Sequence, residues 1–259
     1  MLNIFYSIKN SPEILIPIGG FVVGIFLLIA GLKWFSYKRL IENIPTSKIR
    51  SIAMGLVEII GKVIPIENNI LLSPFSNTEC VYYKYSVERW VKQNDNHHWQ
   101  VVNSGNSTVP FLVNDETGSV LVNPIGANMD IRYTTFTSDS GHDPPMIIKN
   151  FISSQNLNYE GFFGINYKMR YREAVIIPNE KLYIIGTAND NPFKLDGSAQ
   201  HSVEDIMIHK GKGKIYHISQ KPETKVVRGY LIKALAGLIF GGLILVICFN
   251  VILKMIQNF

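Results

Sequence analysis

Two long apolar runs, one near each end, constrain this chain more than any other feature of its sequence. Ile14 to Leu32 holds 19 residues without a formal charge, and Ala234 to Leu253 holds another 20. At a rise of about 1.5 Å per residue, each reaches close to the ~30 Å of a bilayer's hydrocarbon core. Gly19, Gly20, Gly24 and Gly31 in the first run, and Gly237, Gly241 and Gly242 in the second, would weaken a helix in water. In a bilayer the same glycines let helices approach closely, and Gly237-x-x-x-Gly241 has the spacing of a helix-pairing motif. A cleavable signal peptide fits the first run poorly, because the run ends in Lys33-Trp34-Phe35 with no Ala-x-Ala site. The expected organisation is a short tail (1–13), a transmembrane helix (14–35), a central domain (36–228), a second transmembrane helix (229–254) and a short tail (255–259).

The basic flanks set an expected orientation. Lys9 precedes the first run, and Lys33, Lys38, Arg39, Lys48 and Arg50 follow it. Lys221, Lys225, Arg228 and Lys233 precede the second, and Lys254 alone follows. Basic residues favour the cytoplasmic side, so both flanks place the central domain in the cytoplasm and both termini outside.

Charge then narrows the partners. The chain carries 25 basic and 20 acidic residues, but positions 36 to 228 hold 21 basic and 19 acidic, too balanced for a nucleic-acid footprint. The excess is local: Lys210, Lys212, Lys214, Lys221, Lys225, Arg228 and Lys233 face only Asp205 and Glu223 over the same stretch. Such a flank suits anionic lipid headgroups, at about 1 kcal/mol per basic residue near the surface. It also suits an ordinary solvated flank that obeys the topology rule. The expected partners are the lipid bilayer, an unidentified protein, and a further copy of the chain through the transmembrane helices.

Residues that carry chemistry are sparse. Cys248 lies in the second apolar run, which leaves Cys80 alone in the central domain, without a disulfide framework or a thiolate zinc site. None of the histidines (His97, His98, His142, His201, His209, His217) has a ligand spacing such as H-E-x-x-H. Gly211-Lys212-Gly213-Lys214 lacks the spacing of a phosphate loop and reads as a hairpin tip. His142-Asp143 invites comparison with a catalytic triad, but no G-x-S-x-G elbow accompanies it. Arg170 and Arg172 alternate with Met169 and Tyr171, so they share a strand face on which to hold an anion or pair with nearby acids. No catalytic, cofactor or metal residue is expected.

Between the runs, the periodicity is mostly that of short strands. Ser51 to Val63 reads as a bent strand or a strand pair. Cys80 to Val91 alternates, with Val81, Tyr83, Tyr85 and Val87 on one face and Tyr82, Lys84, Ser86 and Glu88 on the other. Lys92 to His98 reads as a loop. Val109 to Val113 and Ser119 to Val122 flank a turn-forming Asn114-Asp115-Glu116-Thr117-Gly118. Ile131 to Phe136 follows as a strand, and Asp143-Pro144-Pro145 caps a short helix to about Gln155. Tyr167 to Ile177 and Lys181 to Ala188 are strands, and Ile206 to His209 with Lys214 to Ser219 form a hairpin. The expected class is mainly β (α+β): a sandwich-like or barrel-like domain with a helical insert, flanked by two transmembrane helices.

An ordered set of segments carries a resemblance. Pro45-Thr46-Ser47-Lys48-Ile49-Arg50 leads into Gly55-Leu56-Val57-Glu58-Ile59-Ile60-Gly61. Ser73-Pro74-Phe75, Glu79-Cys80-Val81-Tyr82-Tyr83-Lys84-Tyr85 and the stretch from Val113 to Pro124 with Gly126-Ala127 follow. Tyr171-Arg172-Glu173, Ile177-Pro178-Asn179-Glu180-Lys181-Leu182-Tyr183 and Gly186-Thr187-Ala188 complete it. Over about positions 40 to 225 the chain resembles the GIDE-type, or beside-a-membrane (BAM), domain of the mitochondrial E3 ubiquitin ligase family. In those ligases the resemblance implies a cytosolic RING finger after the second span, binding zinc through spaced Cys and His. This sequence contains no C-x-x-C, and Phe259 lies six residues beyond the second apolar run. Ubiquitin transfer is therefore not expected to carry over. In the mitochondrial members the domain faces the intermembrane space, which differs from the cytoplasmic orientation expected here. The resulting expectation is a non-enzymatic scaffold or sensor that binds a protein or lipid beside the membrane, and its rival is an unrecognised hydrolase or transferase.

Overall fold

The computed structural model describes residues 15–161, 164–192, 205–212 and 215–257. The expected N-terminal tail, His201 and Lys214 lie outside them. The chain forms two compact units: one is the helical N- and C-terminal parts up to Ile44 and from Glu223, the other is Pro45–Pro222.

The helical unit is a pair, α1 (Leu15–Glu42) and α3 (Glu223–Gln257), each long and apolar enough to cross a membrane. Both extend past the apolar runs into charged sequence. Their contact is backbone on backbone. A methyl group at Gly31 would lie 2.9 Å from the amide nitrogen of Leu238 and 3.1 Å from the carbonyl oxygen of Ala234. One at Gly237 would lie 2.9 Å from Cα of Gly31, and one at Gly241 would lie 2.9 Å from the nitrogen of Leu28. The Gly237-x-x-x-Gly241 motif thus packs within the chain, where missing Cβ atoms let dispersion and weak Cα–H contacts form at short range. Beyond this seam, Tyr37 and Tyr230 meet edge to face at 6.1 Å.

The second unit is built on a closed barrel. Strand β1 (Gly55–Pro65) is a single strand, preceded by one turn of 3₁₀ helix at Ile49–Ser51. It pairs along one edge with β6 (Phe111–Asp115), which turns tightly into β7 (Gly118–Val122). β7 runs parallel to β12 (Ile206–His209), and β12 lies antiparallel to β11 (Lys181–Asp190). β11 returns to β1 over eight residue pairs, Gly55↔Ala188 to Lys62↔Lys181, and closes the ring. Counting only barrel strands, the order is 1-2-3-5-4-1 with the third and fifth parallel, the Greek-key arrangement of the OB-type barrel. Alternation then fills the interior: Val57, Ile59, Val63, Phe111, Val113, Val120, Val122, Leu182, Ile184 and Ile208 are buried together.

Expected hairpin partners Ile206–His209 and Lys214–Ser219 do not pair. β13 (His217–Ser219) lies beside Tyr183–Ile185 of β11, while β12 takes the same edge farther along at Thr187–Asp190. One long strand therefore serves two short neighbours, which local periodicity cannot reveal. β13 carries β8 (Asn128–Asp130) on its outer side.

Between the first and second barrel strands the chain inserts β2 (Leu71–Leu72), β3 (Glu79–Cys80) and a long hairpin, β4 (Tyr82–Gln93) with β5 (Asn96–Thr108). Residues 92–98 are strand and turn, not loop. Asn94, at φ 53°, takes the left-handed conformation of a two-residue turn, which its short polar side chain tolerates. After β8 come β9 (Tyr133–Ser138), α2 (Met146–Ser154) and β10 (Met169–Ile176). These strands make a four-stranded antiparallel sheet, β5-β4-β10-β9.

Helix α2 covers one face of that sheet. Phe75 meets Tyr85, Phe151 and Tyr171 edge to face at 5.4–5.7 Å, above buried Val87, Ile148, Ile152 and Met169. Glu173, buried on β10, fixes the covering loop by accepting bonds from the Phe75 N–H (2.7 Å) and the Ser76 hydroxyl (2.6 Å). Pro145, without a side-chain cap, precedes α2 in the place expected of an Asp143 cap. Asp143 instead accepts from Lys149 Nζ at 2.7 Å and from the Asn166 amide at 2.8 Å.

The glycine seam predicts a sharp contrast. Gly237→Leu forces a side chain into the α1 backbone and should lower the thermal stability of the helical unit in detergent by about 1–3 kcal/mol. Gly242→Leu, where a Cβ meets nothing within 4 Å, should leave it unchanged. Equal effects of the two would mean that the helices do not pack on this face.

Candidate functional site: an open sheet face and its cleft

Whatever covers the inner face of the four-stranded sheet, its other face is open, and strand register decides what it displays. Trp90 stands opposite Trp99, Glu88 opposite Arg170, Arg172 opposite Ser86 and Thr135, and Lys84 opposite Asn106. The ladder slips once, between Val87 and Glu88, where Val102 is the extra residue of a bulge on β5. The slip leaves Val101 and Val102 in solvent, at 56% and 36% exposure.

Aromatic and guanidinium groups interleave across this face. His97 stacks on Trp90 at 5.7 Å, Trp90 meets Trp99 at 4.9 Å, and the Arg170 guanidinium lies 4.4 Å above the Trp99 ring. Glu88, 4% exposed, sits beneath them. It accepts from Arg170 Nε at 2.7 Å and from Nη2, while Arg172 Nη1 stands 3.7 Å from its second oxygen. Ser86 Oγ adds a bond at 3.0 Å. Arg172 in turn lies 4.5 Å over the Tyr133 ring. The acid that Arg170 and Arg172 were expected to find nearby is therefore Glu88 on the adjacent strand. One carboxylate holds two guanidinium groups, each of which lies over an aromatic ring.

Where the open face meets the 124–131 segment of the barrel lobe, a cleft of about 400 Å³ opens. Its floor is Tyr82, Lys84, Asn106, Thr108 and Ala174, and Ile125, Gly126, Met129 and Tyr133 line its sides. Burial and the neighbouring Tyr133 push the Tyr82 phenol up to about 12, so it stays neutral across physiological pH. A second cleft, of about 610 Å³, mixes Lys48, Lys62 and Lys181 with Asp115 and Glu116. There Asp115 is committed. Burial raises its pKa, but the Thr117 hydroxyl and the N–H groups of Ile49, Thr117 and Gly118 outweigh that and hold it below the usual range.

The residues singled out from sequence scatter over both units. Lys210 follows β12 and lies across Gly126, and Lys212 is exposed in the following turn. Lys221 bonds Asp130 at 2.7 Å, and Lys225, Arg228 and Lys233 are exposed on α3. His142 and Asp143 assemble no triad, because the Asp143 carboxylate is taken by Lys149 and Asn166 and the His142 Nδ1 lies 3.3 Å from the Ser140 carbonyl. Cys80 is fully buried, and burial with the nearby Glu173 charge pushes its thiol up to about 11. Among the described residues no group of three His, Cys, Asp or Glu side chains could hold a metal ion. Trp90, Trp99 and Glu88 went unread as a site. Their signal is the two-residue Asn94-Asp95 turn, which puts Trp90 and Trp99 in register.

A mainly β domain with a closed five-stranded barrel and an open sheet, bracketed in sequence by two membrane-length apolar helices, defines the class of this protein. Within that class, a family model described as GIDE, E3 ubiquitin ligase, matches residues 81–231, more than half of the chain. The chain belongs to the GIDE family. No curated protein and no solved structure matches it.

The Glu88 cluster yields a stability test. Glu88→Ala leaves two guanidinium groups without their carboxylate and should destabilise the full chain by about 2–3 kcal/mol. Trp90 and Trp99 fluorescence would report the shift in denaturant midpoint. A change within about 0.5 kcal/mol would show that solvent replaces the carboxylate freely.

Proposed function

We propose that this chain is a non-enzymatic, two-pass membrane protein whose GIDE domain docks an extended segment of a protein partner along strand β5. The observation that carries the reading is the character of that edge. β5 is 13 residues long, Asn96–Thr108, ends its sheet, and contains no formal charge and no proline. Edge strands ordinarily protect themselves with charge, proline or shortness, because unpaired N–H and C=O groups recruit other strands. Here the one protective device is the bulge at Val102, and it presents apolar side chains. Exposed Trp90 and half-buried Trp99 adjoin that edge, the residue types that anchor interfaces. Strand addition supplies affinity through the main chain, and the Trp and Arg side chains supply selection.

Non-catalytic action is supported by the sites themselves. Among the described residues neither cleft is lined by a histidine or a cysteine, and Asp143 is committed to Lys149 of α2 and to Asn166. The basic flanks support a cytoplasmic domain with both termini outside. The exposed cations Lys225, Arg228 and Lys233 on α3 support contact with anionic lipid. A further copy of the chain is the alternative occupant of the β5 edge.

A photo-reactive residue placed at Val102 in native membranes should capture a discrete protein, and Val101→Lys should abolish the adduct while leaving the melting temperature in place. The same probe at exposed Leu72 serves as the reference. Adducts of equal pattern at both positions would remove the docking proposal, and an adduct of twice the chain's mass would reassign the edge to self-pairing. Topology has its own test. Because Cys80 is buried and Cys248 lies in α3, Asp95→Cys at the hairpin tip should be the reactive thiol. A membrane-impermeant maleimide should label it only after the cytoplasmic side is opened. Labelling of intact cells would reverse the orientation.

A further inference from the structure

We infer that the cleft between the open sheet face and the 124–131 segment is a binding site for a phosphomonoester with a small organic group. The argument starts from charge. Among the described residues no carboxylate lines the cleft, and the two acids adjacent in sequence to its lining are already engaged, Glu173 by the Phe75 N–H and the Ser76 hydroxyl and Asp130 by Lys221. One lysine, Lys84, lines it, and a second, Lys210, 126 positions later, stands against the lining residue Gly126 at its edge. Lys84 rises from the floor and has no ion-pair partner among the described residues. Lys210 follows β12 and lies across Gly126, where a methyl group would stand 2.9 Å from its Cδ and 3.7 Å from its Nζ. Gly126, at φ +79°, is what allows the segment to curl beneath that side chain. A third cation, Arg172, lies over Tyr133 at the same rim.

Polar and apolar groups then limit the ligand. Thr108 lines the cleft, and its buried Oγ1 has no hydrogen-bond partner among the described residues, a state that costs free energy that an acceptor would recover. The Asn106 amide lies on the same floor. Two point-like ammonium groups and neutral donors, with no competing acid, suit a compact dianion such as a phosphate. Ile125, Met129, Ile131 and the Tyr82 ring line the rest of the cleft, which matches a short organic group attached to that phosphate. A volume of about 400 Å³ admits both parts. The same chemistry is offered by a soluble phosphomonoester and by the headgroup of phosphatidic acid.

The experiment is calorimetric titration of glycerol 3-phosphate into the full chain in nanodiscs of phosphatidylcholine, repeated with phosphatidic acid added to the lipid. Saturable one-to-one binding is expected, weakened about tenfold or more by Lys84→Ala and by Lys210→Ala, since each removes a charge-assisted contact. Lys92→Ala, exposed on the same strand but outside the cleft, should leave it unchanged. Binding that persists when phosphatidic acid is present assigns the site to a soluble ligand, and binding that it displaces assigns the site to the headgroup. If glycerol 3-phosphate does not bind in pure phosphatidylcholine, or binds as tightly to the Lys84→Ala and Lys210→Ala proteins, the inference is overturned. None of these variants touches Val101 or Val102, so failure here leaves the β5 docking result standing.

Discussion

The pairing of β1 with β11 is the constraint on which the rest of the β unit depends. Eight residue pairs join segments that lie more than a hundred positions apart in sequence, and without them the five strands form an open sheet with two bare edges. Closing so distant a contact is entropically expensive and is recovered only when the apolar interior forms with it. Both large insertions leave from the closed ring and return to it, so the four-stranded sheet has a fixed base. Tyr82, Ala174 and Ile176, at the barrel ends of β4 and β10, are buried with the barrel core. The open face is thus held from below by the barrel and from behind by α2, which leaves its aromatic and basic side chains free to face outward.

Three buried carboxylates show how the unit tolerates charge in its interior. Glu58, fully buried on β1, accepts from the Thr46 hydroxyl at 2.6 Å and the Tyr183 hydroxyl at 2.7 Å. Glu173 is met by a backbone N–H and a serine hydroxyl, and Glu88 by two arginines. Each joins pieces of chain that packing alone would leave loose: the 45–48 segment to the barrel, the 73–76 loop to the sheet, and the guanidinium pair to their rings. Removing a buried carboxylate's partners costs more than the pairing returns, so these contacts specify geometry more than they add net stability.

Legibility from sequence follows the range of the interactions. The two apolar helices, the β6–β7 hairpin and the face of Tyr83, Tyr85 and Val87 are local in origin and could be read directly. The Gly237-x-x-x-Gly241 spacing also announced a packing face, and its partner proved to be α1. The β12–β13 hairpin was misread because both strands answer to β11, whose edge neither shows in its own residues. Polar composition suggested a loop at 92–98, although those residues continue a ladder whose stability comes from cross-strand Trp90–Trp99 and Trp90–His97 contacts. The cleft was invisible for the same reason: Lys84 and Lys210 have no relation until the barrel brings the 124–131 segment between them.

The extent of the family match bears on where function resides. It begins at Val81, after β1 has ended, and runs into the first turns of α3. It includes every strand of the open sheet, all the residues that line the cleft and four of the five barrel strands, but not the strand that closes the ring. A segment cut to those boundaries would lack Val57, Ile59 and Val63 from the core and would expose the paired edges of β6 and β11. The matched stretch therefore holds the open sheet and the residues that line the cleft, while β1, which closes the barrel, lies outside it. The geometry of the open sheet and its cleft depends on β1, a strand outside residues 81–231 that fixes the barrel on which the sheet is based.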